Sequence, residues 1–227
     1  MPRTARSLLA GGHYHLINRG NNRSIIFATR DDYRRFLRLI EEAQRRIALR
    51  LLAVCVMPNH FHVVAAQDDA DHISRWMQWL LTTHASHCNL SRGTCGRVWQ
   101  GRFKAFPIQH DGHLLSVMRY VERNALRAGL TTRAEDWPWG SLAWRLRLAA
   151  GPWLAAPPCP LPRDWRSHVN APQTQEELDA LRRCVNRQRP YGSEPWIRTA
   201  AARHGLRLSL RGPGRPPRPS PAATPPK

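Results

Sequence analysis

Two strand-like runs, Leu49 to Met57 and His60 to Ala66, are separated by only Pro58-Asn59. A link that short turns the chain straight back on itself, so any sheet built here contains an antiparallel hairpin. The second run begins His60-Phe61-His62. On a strand alternate side chains share a face, which sends both histidines to one side and Phe61 to the opposite layer. Two imidazoles so placed sit close enough to share a metal ion. A metal beside a nucleophile would make a nuclease-like site.

The surrounding pattern extends the hairpin to a sheet. His13 to Asn18 reads as an earlier strand, followed by the turn-rich loop Arg19-Gly20-Asn21-Asn22-Arg23. Asp31 and Asp32 open a helix whose Tyr33, Phe36, Leu37, Ile40 and Ile47 follow helical spacing. Asp71 to Leu90 is a second amphipathic helix, Phe103 to Gln109 a fourth strand, and Asp111 to Leu126 a third helix ending near Gly129. The order strand, helix, strand, strand, helix, strand implies an α+β fold. The expected architecture is a ferredoxin-like four-stranded antiparallel sheet with helices on one face. An extra helix carries Tyr120, and a basic C-terminal extension follows. Residues 1–150 form the main unit, 151–174 a Pro/Ala-rich linker, and 175–210 a basic extension with a helix over Gln175 to Arg189. The last stretch, 211–227, is Pro-rich, basic and too poor in apolar residues to fold alone.

Charge narrows the partner. The formal net charge is +19, from 35 Lys and Arg against 16 Asp and Glu, and Lys occurs only at Lys104 and Lys227. Guanidinium groups fork onto phosphate oxygens and stack on bases, so an acidic polymer is expected, nucleic acid being the commonest. Cys55, Cys88, Cys95, Cys159 and Cys184 are odd in number and lack CxxC spacing, which points to a reducing compartment. His84, His87, Cys88 and Cys95 fall close together, but their spacing fits no closed tetrahedral zinc pattern. Leu8-Leu9-Ala10 is too short for a signal-peptide core, and no apolar run approaches a bilayer span. The expectation is a cytoplasmic, nucleoid-associated protein with no membrane partner.

Histidines in alternation are weak evidence alone, because His13-Tyr14-His15 has the same form. The downstream stretch Tyr120-Val121-Glu122-Arg123-Asn124 adds weight. Tyr120 and Asn124 lie one helical turn apart and share a face, so a phenol and a carboxamide can be presented to one metal. A phosphodiester resists attack because its oxygens are negative, and a divalent cation on a non-bridging oxygen lowers that barrier. A phenol with a pKa near ~10 needs help to attack at neutral pH. Attack at a 5′-phosphate would leave a phosphotyrosine and a free 3′-hydroxyl. Phenolate is a fair leaving group, so the step can reverse and strands can be rejoined.

MPNHFHVV at Met57 to Val64, VWQGRFKAF at Val98 to Phe106 and RYVERNALRAGL at Arg119 to Leu130 together resemble the single-tyrosine HUH transposases. The resemblance is to their REP-associated tyrosine transposase (RAYT) branch, which the RGNNR, PWGS and YGSEPWI stretches also resemble. It covers residues 11–147 well and 185–218 more loosely. It implies His60 and His62 as the metal pair, Asn124 as third ligand, Tyr120 as nucleophile and Mg2+ or Mn2+ as cofactor. The implied fold is the ferredoxin-like sheet. The implied substrate is single-stranded DNA folded into palindromic hairpins such as REP elements, which the protein cleaves and rejoins as a monomer. One departure is visible: the family usually has Asn-Pro where this chain has Asn124-Ala125. Ala is the better helix residue, so the third helix is expected to run on.

Candidate DNA contacts are Arg19, Asn21, Asn22, Arg23, Arg102 and Lys104 in loops and strand ends, Arg123 and Arg127 on the third helix, and Arg211 and Arg215 in the tail. Trp99 and Phe103 are candidates to stack on unpaired bases. Gly214-Arg215-Pro216 resembles an AT-hook core, though a plain basic tail has the same composition. The alternative function is a catalytically idle DNA-binding protein on the same scaffold. An RNA-binding protein of RRM type shares the element order but would need aromatic RNP motifs that this chain lacks.

Overall fold

The hairpin expected from its two-residue link is formed by β2 (Arg50–Met57) and β3 (His60–Ala66), with Met57 opposite His60. The structure, a computed structural model, describes residues 8–211. β1 (His13–Arg19) pairs antiparallel with β3, and β4 (Lys104–Ile108) pairs antiparallel with β1, giving the order β2-β3-β1-β4. α1 (Arg30–Arg46) connects β1 to β2, and α2 (His72–Arg92) connects β3 to β4. This is the ferredoxin-like sheet expected from the element order.

Local chemistry sets the crossover helices. Thr29 Oγ1 accepts from the Asp32 amide at 3.2 Å while Asp32 Oδ2 accepts from the Thr29 amide at 2.9 Å, a capping box that starts α1. Tyr33, Phe36, Leu37, Ile40 and Ala43 then form its buried stripe. α2 stops where Gly93 turns left-handed at φ 59°, a conformation glycine adopts without a Cβ clash. Its Ile73, Trp76, Met77 and Leu80 share one core with the α1 stripe, with Phe61 and with Val63.

The opposite face of the sheet is covered as well. α3 (Gly112–Glu122), α4 (Asn124–Arg127) and α6 (Trp165–Asn170) pack there with α5 (Ser141–Arg145) and α7 (Gln175–Arg187). Two covered faces explain why β3 is buried from Phe61 onward. In β2 a bulge between Leu51 and Ala53 shifts the alternation, so Leu51, Val54 and Val56 join one core while Leu52, Ala53 and Cys55 join the other.

Two expectations are corrected. The third helix does not run on: α3 ends at Glu122, and α4 begins after Arg123. Glu122 and Arg123 are tied by their side chains to different partners, and those tertiary contacts outweigh the helix propensity of Ala125. The stretch 151–174 is not a featureless linker, since it contains α6 with Trp165 and Val169 buried. The YGSEPWI stretch leads into α8 (Glu194–Arg203), and Tyr191 bridges Ile108 on the outer edge of β4, shielding that edge. Among the described residues no helix is long and apolar enough to cross a membrane.

Candidate active site

His60 and His62 stand on the sheet face that carries α3, opposite Arg19 and Ile17 of β1. Their ring centroids are 4.9 Å apart and the planes are nearly perpendicular at 79°. Both rings are held at the δ nitrogen. His60 Nδ1 lies 2.7 Å from Asn59 Oδ1. Asn59 Nδ2 donates to the Arg23 carbonyl at 3.1 Å, which leaves the amide oxygen for His60, so His60 Nδ1 is the donor. His62 Nδ1 lies 2.8 Å from His15 Nε2. Among the described residues neither ε nitrogen of the pair has a hydrogen-bond partner.

The turn carrying Asn59 is clamped by the RGNNR loop. Ile26 and Phe27 amides donate to the Pro58 carbonyl at 2.9 and 3.0 Å, and the Gly20 amide donates to the Asn59 carbonyl at 2.8 Å. A Cβ at Gly20 would lie 2.4 Å from the Ser24 carbonyl oxygen, so this close approach requires glycine. Asn59, read from sequence only as a turn residue, thus orients a candidate ligand.

α3 brings Tyr120 edge-on to His62, with centroids 5.9 Å apart and planes at 89°. Asn124 is fully buried. Its Oδ1 accepts from Arg127 Nη2 at 2.5 Å, and its Nδ2 is buried without a partner. The Arg127 guanidinium lies 5.4 Å from the Tyr120 ring centroid, so it touches both residues expected to work together. The end of α3 is anchored by Glu122. Its Oε1 accepts from Ser141 Oγ at 2.7 Å and from Arg145 Nη2 at 3.2 Å, and its Oε2 from Trp165 Nε1 at 2.6 Å. Ser141 Oγ also accepts from the Val54 amide at 3.0 Å, tying the tyrosine helix to β2.

The donor set suits a divalent cation. With the His62 proton on Nδ1, two imidazole ε nitrogens and an amide oxygen with a second lone pair would match Mg2+ or Mn2+, with nitrogen ligands favouring Mn2+. Among the described residues no group of three or more His, Cys, Asp or Glu is placed to hold a metal. His84 and Cys88 touch, Sγ to Nε2 at 3.5 Å, but belong to the aromatic packing around Phe27, Phe36 and Trp99.

Burial, with Arg19 and Arg127 adding to it, lowers His60 to about 4. Burial lowers His15 to about 3 and holds His62 well below the ordinary value, with His60 next in effect for both. All three are neutral at physiological pH, the form a ligand needs. Each of these histidines gains a proton on unfolding below pH 6.5 that the folded chain takes up only at lower pH, about 4 for His60 and about 3 for His15. Stability therefore falls as pH falls through that window. Asp32 and Asp111 have lowered values, so their contribution is lost only further down, below the ordinary carboxylate value of 3.8. Circular-dichroism melting from pH 7 to 4.5 should give a steadily falling Tm. A flat Tm would contradict the burial of these rings.

The other candidate residues divide. Arg19, Arg102 and Lys104 line one cavity of about 300 Å3 together with Asn18, Gln100 and Asn186. Asn22 and Arg23 are exposed on the loop and Asn21 is half-buried. Trp99 and Phe103 are corrected: each is 6 % exposed in the core, so neither offers a face to a base. Arg123 is corrected too, since its guanidinium donates to the Val169 carbonyl at 3.1 Å and to the Asn170 carbonyl in α6. Arg211 is exposed, with its carbonyl held by Arg187. Arg215 and the Gly214-Arg215-Pro216 core lie outside the described residues.

Comparison with known proteins bears on the fold and the family. The structure of a REP-associated tyrosine transposase bound to a REP hairpin superposes with a TM-score of 0.55 at 22 % identity, covering 69 % of this chain and 93 % of that chain. The fold of the branch whose motifs the sequence resembles is therefore the fold observed. A crystal structure of a Deinococcus radiodurans protein assigned as a transposase aligns with a TM-score of only 0.38 at 16 % identity, over 53 % of this chain and 96 % of that chain, and carries no argument. No curated protein matches the chain. The model of the IS200-like transposases matches residues 9–124, a span that contains both histidines of the pair, Tyr120 and Asn124. With that match over half of its length, the chain belongs to the IS200-like transposase family.

Proposed function

We propose that this protein cleaves and rejoins single-stranded DNA at hairpin-forming palindromes of the REP type, through a 5′-phosphotyrosine on Tyr120. The observation that carries the reading is the convergence of Tyr120 from α3 on His62 from β3, 5.9 Å between ring centroids. His60, His62 and Asn124 would hold Mg2+ or Mn2+, which when bound neutralises charge on a non-bridging phosphate oxygen. Tyr120 Oη forms a bond to phosphorus, the phosphorus–O3′ bond breaks, and the 3′-oxygen leaves as a hydroxyl while the phenol gives up its proton. Attack by a 3′-hydroxyl runs the same exchange backwards and restores the phosphodiester. Asn59 and Glu122 keep the two halves of the site in register. Arg19, Arg102 and Lys104 around their cavity, Asn21, Asn22 and Arg23 on the loop, and Arg127 over the Tyr120 ring hold backbone phosphates. Residues 1–150 act as the catalytic unit and the basic segment 175–210 helps to hold DNA, in a monomer.

The hairpin ligand is carried over from the similar structure, which was solved bound to a REP hairpin. His60→Ala is expected to lower cleavage of a labelled REP-type hairpin in Mn2+ by ~100-fold or more, since a catalytic metal supplies several kcal/mol. Hairpin binding in EDTA should stay within about three-fold, because phosphate contacts elsewhere dominate affinity. Cleavage that survives the substitution would sink the metal assignment. Hairpin binding with no cleavage in any metal would leave an idle DNA-binding protein instead.

A further inference from the structure

We propose that His15 is a positioning residue for the metal pair: its Nε2 accepts the Nδ1 proton of His62 and so keeps the His62 Nε2 lone pair free for a cation. The proposal rests on the reading of His60 and His62 as ligands. His15 lies opposite Val64 in the β1–β3 ladder and His62 lies opposite Ile17, so the two rings are diagonal neighbours on one sheet face. Their nitrogens are 2.8 Å apart. The His15 ring is completely buried, with ring centroids 4.8 Å from Phe106 and 6.5 Å from Tyr120. It therefore has little room to turn away.

Two arrangements of the shared proton keep both rings neutral. In one, His62 Nδ1 donates and His62 Nε2 is bare. In the other, His15 Nε2 donates, His62 Nε2 carries a proton, and that nitrogen cannot ligate. His15 Nδ1 is buried with no partner, so no contact on its far side fixes which arrangement holds. What meets His62 Nε2 decides it, and a cation there selects the first. An apolar residue at position 15 would pack against Phe106 without burying an unpartnered nitrogen. A histidine in this place is explained by its hydrogen bond to His62. His13, the other member of the HxH pair in β1, stacks at 6.2 Å on His110 instead and takes no part.

The test is Mn2+ binding to the full chain without DNA, read by electron paramagnetic resonance. His15→Phe should weaken Mn2+ by about 10–100-fold, the usual effect of removing a ligand's hydrogen-bond partner. His15→Gln, whose Oε1 can accept the same proton, should stay within about three-fold. A purely structural role would move Tm and leave Mn2+ affinity unchanged, and equal affinity in a folded His15→Phe protein would overturn the proposal. If that variant does not fold, 15N NMR of the imidazoles in the unchanged protein decides. With saturating Mg2+, His62 should carry its proton on Nδ1, and a bare His62 Nδ1 would overturn the proposal. An unchanged chain that binds no Mn2+ at all would remove the ligand reading itself and this proposal with it.

Discussion

Glu122→Ala is expected to lower the free energy of unfolding by about 3–5 kcal/mol, the range for removing one partner of a buried ion pair. The Glu122 side chain is 0 % exposed and its partner Arg145 only 17 %. Its carboxylate receives the Ser141 hydroxyl, the Trp165 indole N–H and the Arg145 guanidinium. Deleting it leaves the Ser141 hydroxyl and the Trp165 indole N–H without their acceptor, leaves the Arg145 guanidinium with only the Leu52 carbonyl, and opens a cavity beside Val54 and Leu52. The exposed pair Arg34–Asp31, with side chains 57 % and 78 % exposed, should by contrast yield less than ~1 kcal/mol on truncation. Urea unfolding of the two variants compares them directly. A Glu122→Ala loss as small as that of Asp31→Ala would mean that the buried network does not form. The network matters for the site because Glu122 sits between Tyr120 and Asn124, at the point where α3 ends.

The fold was legible where its causes are local. Pro58-Asn59 forces the hairpin, and the Tyr33, Phe36, Leu37, Ile40 stripe marks α1 within a few residues of chain. What escaped depends on partners far apart in sequence. Trp165 is held by Glu122, 43 residues earlier, so nothing near Trp165 in the Pro/Ala-rich stretch announces a buried helix. The break at Arg123 is likewise a tertiary effect, imposed by carbonyls in α6 against a sequence that favours helix. Trp99 beside Arg97 and Arg102 reads as a surface aromatic, yet it packs on Phe61 and Phe36.

The candidate site follows the same division. His60 and His62 share a face by strand alternation, and Tyr120 and Asn124 by helical spacing, so both halves could be read from the chain. His15 could not be singled out from His13, because only the β1–β3 register decides which of them meets His62. Asn59 gave no signal beyond a turn residue, since its contact with His60 is a matter of side-chain direction.

Tyr120 carries the central claim, and Tyr120→Phe is the substitution that isolates it. Only the phenolic oxygen is lost. The ring, 5 % exposed and packed against His62 and Arg127, stays in place, so the variant should fold and bind hairpin DNA as before. Without the nucleophile the covalent route has no entry, and cleavage should fall by ~10⁴-fold or more. The most direct measurement is to incubate the unchanged protein and the variant with a single-stranded REP-type hairpin and Mn2+, digest, and map the DNA-linked peptide by mass spectrometry. The unchanged protein should carry a 5′-phosphoryl oligonucleotide on Tyr120 and the variant none. An adduct of equal yield in Tyr120→Phe, or one mapped to another residue, would contradict the assignment.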